Sequence, residues 1–260
     1  MKPRRVPLID LLKSAYPGRP EKELFAQVLR GDIIVNGERV MKPGLRVAAD
    51  ARVSSRVPPA FVSRGGEKLA HAIDAWGVSC AGSVWIDAGC STGGFTDCLL
   101  QRGASLVYAV DVGVNQLDVR LRGDARVKPM EGTNVMDLRP DSFDPGPRCV
   151  AADLSFRSLR RAAAHLLSLV SESWGIFLVK PQFEWKSPPP DFTGVVREPD
   201  AVVGIVNELI DALAAEGVGV EKALLSPIRG RRGNRELLFL LRSGPPLLGS
   251  GDVERLVREG

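Results

Sequence analysis

A carboxylate followed closely by three glycines marks the stretch VWIDAGCSTGGFTDCLLQRG, residues 84–103. Asp87 ends an apolar run that reads as a strand, Gly89 makes the turn, and Gly93 and Gly94 open an amphipathic helix. Glycine lets a ligand approach the backbone at positions where a side chain would block it. An acid beside such a backbone indicates a site for a small, partly cationic ligand.

The spacing of these glycines narrows the choice of ligand. It differs from the dinucleotide fingerprint G-x-G-x-x-G, and no Lys-Ser/Thr follows, as a phosphate-binding P-loop requires. Asp111 ends the next apolar run, 22 positions after Gly89, close to the roughly 20 residues at which an acid binds ribose hydroxyls in Rossmann folds. S-adenosylmethionine fits because it carries a ribose, an adenine and a cationic sulfonium but no phosphate. The alternative is a tight strand-to-helix connection that binds no ligand.

Apolar runs and helical segments alternate through most of the chain. Strand-like runs cover 83–87, 106–111, 149–153 and 174–180, and helical segments lie near 94–102, 158–170 and 199–216. Alternation of this kind predicts a parallel sheet with helices on both faces. No helix-length segment separates VEKALLSP from ELLFLLR, so the last two strands are predicted to be antiparallel. This pattern resembles the Rossmann-like class I methyltransferase fold, an α/β fold with a seven-stranded mixed sheet.

The N-terminal fifth of the chain differs from the rest in charge. Residues 1–58 hold 12 Lys/Arg against 6 Asp/Glu, a net charge of +6, which leaves 23 against 25, a net charge of −2, for the remainder. Two stretches with helical spacing, 8–16 and 22–29, precede DIIVNGERV, which predicts a hairpin with an Asn-Gly turn. A basic excess confined to one region indicates a polyanionic partner, and a merely solvated basic face is the alternative.

These differences predict the domain organisation. We expect a small N-terminal α+β domain at residues 1–58 and a linker at 59–64, within the Ser-, Pro- and Gly-rich segment SSRVPPAFVSRGG. An α/β domain is predicted at 65–243. The tail at 244–260 is expected to hold one short helix.

Four further motifs place charged residues where they could act together: Lys68 in SRGGEKL, Asp153 in AADLSF, Lys180 in LVKPQFE and Glu236 in GNREL. Together with the glycine stretch, VYAVDVG and GVVREP, they form an ordered series over residues 61–242. Through this series the chain closely resembles the hemolysin-A or TlyA-type ribosomal RNA 2′-O-methyltransferases, within the broader FtsJ-like group. An ordered series is far more specific than any one motif.

The resemblance implies a set of site residues. The family's catalytic Lys-Asp-Lys-Glu tetrad would fall on Lys68, Asp153, Lys180 and Glu236. The residues expected to contact S-adenosylmethionine are Asp87, Gly89, Ser91, Thr92, Gly93, Gly94, Phe95, Asp111 and Asp137.

The chemistry of ribose methylation makes these residue types reasonable. A ribose 2′-hydroxyl is a very weak acid, so a base must remove its proton as the oxygen attacks the sulfonium methyl. Lys180 is the candidate base, because it ends an apolar strand where α/β proteins bind ligands. Lys68 would stabilise the developing alkoxide, and Asp153 and Glu236 would orient the amines and the ribose.

Three of the four residues also have a structural alternative when they are considered singly. Lys68 could be a solvated helix residue and Asp153 a helix N-cap. Glu236 could be an exposed strand residue paired with Arg235. Lys180 is harder to explain in this way, because an apolar strand rarely needs a terminal lysine for stability.

Residues 1–58 resemble an S4-type RNA-binding domain, chiefly through LRGDIIVNGERVMKPGLRV. The resemblance implies that Arg30, Arg39, Lys42 and Arg46 lie near one surface and contact RNA phosphates. Arg64 is predicted to join them in binding RNA.

Several classes of protein are disfavoured by the sequence. The four cysteines show no paired metal spacing, so we predict free thiols and no metal site. The N-terminus lacks the h-region of a signal peptide, and the longest apolar window is broken by His165 and Glu172. We expect a cytoplasmic monomer that acts on ribosomal RNA or a ribosomal subunit. Two alternatives stay open, a hemolysin-type membrane-active protein and a non-catalytic, ribosome-associated RNA-binding protein.

Overall fold

The computed structural model describes residues 4–55, 60–155 and 158–259. The chain divides into two compact units, Met1–Pro59 and Ala60–Gly260. Residue 59 of the predicted linker lies outside the described residues. Its other residues belong to the second unit, where Phe61 and Val62 pack against the core and the Val62 amide donates a hydrogen bond to the Asp97 carboxylate (2.8 Å).

The first unit is a small α+β fold. Its elements are β1 (Arg5–Pro7), α1 (Leu8–Ala15), α2 (Glu21–Arg30), β2 (Ile33–Val35), β3 (Glu38–Val40), β4 (Arg46–Ala48) and β5 (Val53–Ser55). Strand β2 lies between β3 and β5, and β1 pairs with β4; all of these pairings are antiparallel. Asn36 (φ 51°) and Gly37 (φ 86°) form the turn predicted between β2 and β3.

The second unit is a seven-stranded sheet with helices on both faces. Its elements are α3 (Gly65–Trp76), β6 (Val84–Ala88), α4 (Gly94–Gln101), β7 (Leu106–Asp111), α5 (Val119–Arg122), β8 (Val127–Glu131), β9 (Cys149–Ala152), α6 (Leu159–Ser168), β10 (Trp174–Val179), α7 (Pro181–Glu184), α8 (Pro199–Ala215), β11 (Val218–Leu225), β12 (Leu237–Ser243) and α9 (Ser250–Glu259). The strand order is β11-β12-β10-β9-β6-β7-β8.

The directions of the strands confirm the predicted mixed sheet. Strands β8, β7, β6, β9 and β10 are parallel, whereas β12 is antiparallel to both β10 and β11. The edge strand β8 was not predicted. It contains Pro129 and has exposed residues in its middle, so it lacks the apolar run that marks the inner strands.

Alternate residues of each inner strand enter two separate cores. Trp85 joins the layer under α3 and α4, whereas Ile86 joins the layer under α6 and α8. The tail helix α9 adds Val253 and Val257 to this second layer. Because both faces of the sheet are covered, the carboxyl ends of the parallel strands remain as the place for a ligand.

Candidate active site

The connection from β6 to α4 is held in a conformation that needs glycine. Gly89 has φ 83°, and a Cβ there would lie 2.6 Å from the backbone oxygen of Asp153. Gly93 has φ 95° and precedes α4, which begins at Gly94. The loop therefore lies directly against the carboxyl end of β9, as close approach of the backbone was predicted to allow.

Asp87 is joined by hydrogen bonds to the first turn of the helix that follows this loop. Its side chain is fully buried, and its Oδ2 accepts hydrogen bonds from the backbone N (2.8 Å) and Oγ1 (2.6 Å) of Thr96, in the first turn of α4. Burial raises the pKa of Asp87 to about 7, although both Thr96 hydrogen bonds oppose the shift. The nearby carboxylates of Asp153 and Asp111 raise this pKa further.

The other two predicted cofactor acids lie on other elements, β7 and a short 3₁₀ turn. Asp111 is the last residue of β7. Its Oδ2 accepts a hydrogen bond from the Ser91 amide (2.8 Å), and its Oδ1 accepts one from the Gly113 amide (2.7 Å). Asp111 therefore shapes the glycine loop through its backbone. Asp137 is exposed and ends a short 3₁₀ turn, Val135–Asp137. Cofactor binding by both acids stays a prediction.

Lys180 follows β10 directly and makes contacts with three residues of the segment after β9. Its Nζ lies 2.5 Å from Oδ1 of Asp153. It also donates hydrogen bonds to the backbone oxygen of Leu154 (3.0 Å) and to Oγ of Ser155 (3.1 Å). Only 8% of Lys180 is exposed. The amine of Lys180, at the end of β10, thus contacts the residues that follow the end of the neighbouring parallel strand β9.

Lys68 and Glu236 form a second ion pair. Lys68 lies in the first turn of α3 and Glu236 immediately precedes β12, and their Nζ and Oε2 atoms are 2.5 Å apart. Both side chains are buried, so Lys68 is not a solvated lysine. Glu236 is not paired with Arg235, which donates to the backbone oxygen of Val257. Ser158, not Asp153, caps α6.

Both ion pairs line one cavity of about 680 Å³ within the second unit. All four predicted catalytic residues line it, as do five of the predicted cofactor residues, Gly89, Ser91, Thr92, Gly94 and Phe95. Arg64, at the start of α3, lines it as well. Asp87, Gly93, Asp111 and Asp137 do not line the cavity. The volume is in the usual range of about 300–1,000 Å³ for a small-molecule site.

The glycine loop has the electrostatic character that a cationic ligand needs. Asp87, Asp111 and Asp153 are close enough for the other two carboxylates to raise the pKa of Asp87. The loop between Gly89 and Gly94 contributes no cationic side chain of its own. A sulfonium and an amino group therefore fit here, whereas a pyrophosphate would meet negative charge.

Sequence comparison identifies the second unit. A family model described as FtsJ-like methyltransferase matches residues 61–243. The chain belongs to the FtsJ-like methyltransferase family. Membership in this family confirms the predicted fold and enzyme class, and with them S-adenosylmethionine as the cofactor.

Relatives of this FtsJ-like chain extend over most of its length. The Bacillus subtilis protein YqxC, provisionally named an rRNA methyltransferase, is 42% identical over 82% of this chain and 77% of its own. The 16S/23S rRNA (cytidine-2′-O)-methyltransferase TlyA of Mycobacterium tuberculosis is 37% identical over 82% and 81%. A solved structure from Streptococcus thermophilus, provisionally named a hemolysin, is 33% identical, covers 98% of this chain and 95% of its own, and superposes with a TM-score of 0.75.

Several residues of the FtsJ-like site were not predicted from the sequence. Ser155 binds Lys180, and Phe192, Arg231, Arg232 and Asn234 line the cavity. Ser155 and Asn234 lie within the motifs DLSF and GNRE, where only the charged residues were singled out. Residue 156, which ends DLSF, lies outside the described residues.

The predicted RNA-binding residues of the first unit are all exposed. Arg30 pairs with Asp32 (2.8 Å). Arg39 donates to the backbone oxygens of Gly31 (3.0 Å) and Arg30 (2.7 Å), at the end of α2. Arg46 donates to the backbone oxygen of Arg5, whereas the Lys42 side chain forms no salt bridge within the described residues.

Two further features bear on function. Among the helices in the described part of the chain, none is both long and apolar enough to cross a membrane. The four cysteines are buried and free. Burial raises the pKa of Cys80 to about 11 and that of Cys98 to about 12, so both stay protonated near neutral pH.

Proposed function

We propose that this protein transfers a methyl group from S-adenosylmethionine to the ribose 2′-oxygen of a cytidine in ribosomal RNA. The observation that carries the proposal is that two buried lysines each contact an acid, Lys180 with Asp153 and Lys68 with Glu236, in one cavity beside the glycine loop. The target is supported by the name of the M. tuberculosis relative, a cytidine-2′-O-methyltransferase of rRNA.

The proposed chemistry begins with the amine of Lys180. When bound, S-adenosylmethionine supplies a methyl group on a cationic sulfur. In its neutral form Nζ of Lys180 accepts the 2′-proton, and the ribose oxygen becomes the nucleophile. Asp153, 2.5 Å away, stabilises the ammonium that forms. The hydrogen bonds to Leu154 and Ser155 fix the direction of the amine.

The second pair acts on the charge that develops on oxygen. Lys68 is mostly buried, so its ammonium interacts with a developing alkoxide in a medium of low dielectric constant. Glu236 holds this ammonium in place through a contact of 2.5 Å. The two lysines are given different roles because they lie at different places in the fold. Lys180 directly follows a parallel strand, at the edge of the sheet where α/β proteins bind ligands, whereas Lys68 lies in the first turn of α3.

The first unit would hold the RNA. We propose that it is an S4-type domain whose exposed cations, above all Arg30 and Lys42, contact phosphates. Arg39 and Arg46 also donate to backbone oxygens of their own unit, so they would have fewer N–H groups to offer. We propose that the substrate is a folded RNA or a ribosomal subunit and that the protein acts on it as a monomer.

The test is transfer of a labelled methyl group to purified ribosomal subunits, followed by mapping of alkali-resistant linkages. Lys180→Ala is expected to lower turnover by about 10²–10⁴-fold, the usual contribution of a positioned base, while calorimetric affinity for S-adenosylmethionine is retained. Lys186→Ala is the matched control, because Lys186 is exposed and does not line the cavity. Near-normal turnover in Lys180→Ala would refute the role of Lys180 as base.

The same preparations test the two other functions. Leakage of lipid vesicles at low protein concentration, equal in wild type and Lys180→Ala, would favour a membrane-active protein and contradict the proposal. Tight binding to subunits with no methyl transfer by the wild type would favour a non-catalytic RNA-binding protein.

A further inference from the structure

More basic than acidic side chains line the cavity. Its charged lining residues are Arg64, Lys68, Lys180, Arg231, Arg232, Asp153 and Glu236. The two acids pair with the two lysines. Over the described ranges, 4–55, 60–155 and 158–259, the three arginines have no salt bridge, and all three are exposed. The cavity mouth thus presents three guanidinium groups without counter-ions.

S-adenosylmethionine does not account for these three groups. The cofactor carries a sulfonium, an amine and a carboxylate, so its own net charge is positive. One arginine could meet the carboxylate, and the others would then be repelled by the cofactor as a whole. Planar guanidinium groups match phosphate geometry and bind it with two parallel hydrogen bonds. The charge at the mouth therefore indicates a polyanion.

Arg231 and Arg232 are presented on a tight turn. The Gly233 amide donates to the backbone oxygen of Gly230 (2.8 Å), which makes the two arginines the central residues of the turn. The Gly230 amide donates to the backbone oxygen of Asn234 (2.9 Å), which closes the base of the turn. The turn thereby holds the backbone of two adjacent arginines.

Asn234 fixes this turn to a second loop. Its side chain is 2% exposed, its Oδ1 accepts from the Val196 amide (2.8 Å) and its Nδ2 donates to the Gly194 oxygen (2.9 Å). A Cβ on Gly194 would lie 3.1 Å from Nη1 of Arg232. The guanidinium of Arg232 therefore lies over the loop that Asn234 holds.

The turn also contacts the proposed catalytic centre. A Cβ on Gly230 would lie 2.4 Å from Oε1 of Glu236, so the base of the turn rests on the acid that holds Lys68. A strand bound by Arg231 and Arg232 would reach the cavity beside this ion pair.

We infer that Arg231 and Arg232 bind phosphates of the RNA strand next to the target nucleotide and so position its ribose in the cavity. The inference rests on the proposed function, since it names the contact through which that substrate enters. It concerns the second unit alone and adds to any contacts of the first unit.

The test compares RNA affinity in two charge-matched double variants of the full chain. R231Q/R232Q removes the two proposed phosphate contacts. R139Q/R161Q removes two exposed arginines that do not line the cavity. The probe is a fluorescent, single-stranded oligocytidylate, titrated between about 50 and 200 mM salt. R231K/R232K restores the charge and serves as the rescue.

Loss of two phosphate contacts has a calculable effect. For single strands the slope of log K against log salt changes by about 0.7 for each contact, so the slope should decrease by about 1.4. At physiological salt this corresponds to roughly 10-fold weaker binding. KM for ribosomal subunits should rise by about the same factor while kcat changes little. R139Q/R161Q and R231K/R232K should stay within about threefold of wild type.

The possible results separate this inference from the proposed function. Equal salt slopes in R231Q/R232Q and R139Q/R161Q would overturn the inference, even if methyl transfer by the wild type is robust. A tenfold loss of S-adenosylmethionine affinity with unchanged RNA affinity would also overturn it, because the arginines would then bind the cofactor carboxylate. Selective loss of RNA affinity in R231Q/R232Q, together with no methyl transfer by the wild type, would support the phosphate contacts and refute the methylation.

Discussion

Asp87→Asn should remove a large part of the pH dependence of folding stability. The Asp87 carboxyl is fully buried, and among the described residues its Oδ1 has no hydrogen-bond partner. Burial raises the pKa of this group from its ordinary value of 3.8 to about 7 in the folded protein. Asparagine keeps an oxygen that can accept from Thr96, but it does not titrate.

The sign and size of the effect follow from proton linkage. Between about pH 4 and pH 7 the folded protein holds a proton on Asp87 that the unfolded chain has released, so the free energy of unfolding falls as the pH rises. Each tenfold change in proton affinity corresponds to about 1.4 kcal/mol. The protonated Asp87 carboxyl therefore contributes about 4 kcal/mol to the free energy of unfolding. This contribution is fully present below about pH 4 and is lost above about pH 7. About 2–3 kcal/mol of it is lost between pH 5 and pH 8.

Urea unfolding of wild type and Asp87→Asn at pH 5 and pH 8 measures this difference. The loss of stability with rising pH should be about 2–3 kcal/mol smaller in the variant. Glu184, whose pKa is also raised by burial, titrates in both proteins and cancels from the comparison. Parallel decreases in the two proteins would refute the reasoning, because they would show that Asp87 is already ionised at pH 5.

Substitutions at three other places test the architecture of the site. Gly89→Ala should destabilise the fold more than Gly82→Ala in urea unfolding. Both glycines have positive φ, which costs a residue with a side chain about 1–2 kcal/mol. Only at Gly89 would the added Cβ also meet backbone atoms. Equal losses would contradict the close approach of the loop. Glu236→Ala should lower the free energy of unfolding by about 3–5 kcal/mol, because it leaves the Lys68 charge buried and unpaired. The double variant Lys68→Met/Glu236→Leu should recover thermal stability but not methyl transfer. Recovered transfer would exclude the pair from catalysis. Asn234→Ala leaves buried backbone groups unsatisfied and should cost about 1–3 kcal/mol, and a neutral result by calorimetry would show that the two loops are not joined through it.

The sequence predicted which residues meet but not how they pair. Lys180 and Asp153 end two apolar runs, and neighbouring parallel strands end at one edge of a sheet. Their contact was therefore foreseeable. The contact of Lys68 with Glu236 depends on how α3 packs beside the antiparallel strand β12, which is a tertiary feature that no local pattern encodes. The two structural alternatives for these residues failed because both side chains are buried.

The acids of the glycine loop show a second limit. A carboxylate at a strand end was expected to face the cofactor. Asp87 binds Thr96 and Asp111 binds the amides of Ser91 and Gly113. Unpaired backbone amides in a tight loop are strong donors, so the nearest carboxylates satisfy them first. Composition and spacing did not predict these contacts within the loop, and cofactor binding by Asp87 and Asp111 stays a prediction.

The net charges of the two parts of the sequence did not reveal the arginines that line the cavity. The basic excess of residues 1–58 drew attention to the first unit, and the remainder has a net charge of −2. Arg231 and Arg232 lie in that remainder, at the mouth of the cavity. A net charge averages over a whole surface, whereas a ligand responds to the charges within about one Debye length, near 10 Å.

The position of Glu236 in the chain has a consequence for biosynthesis. Its partner Lys68 precedes it by 168 residues, and β12 inserts beside β10 only after every other inner strand has been made. A nascent chain that ends before β12 would have the glycine loop and Lys180 but no acid to hold Lys68. Translation products that end before β12 are therefore expected to lack the Lys68–Glu236 ion pair.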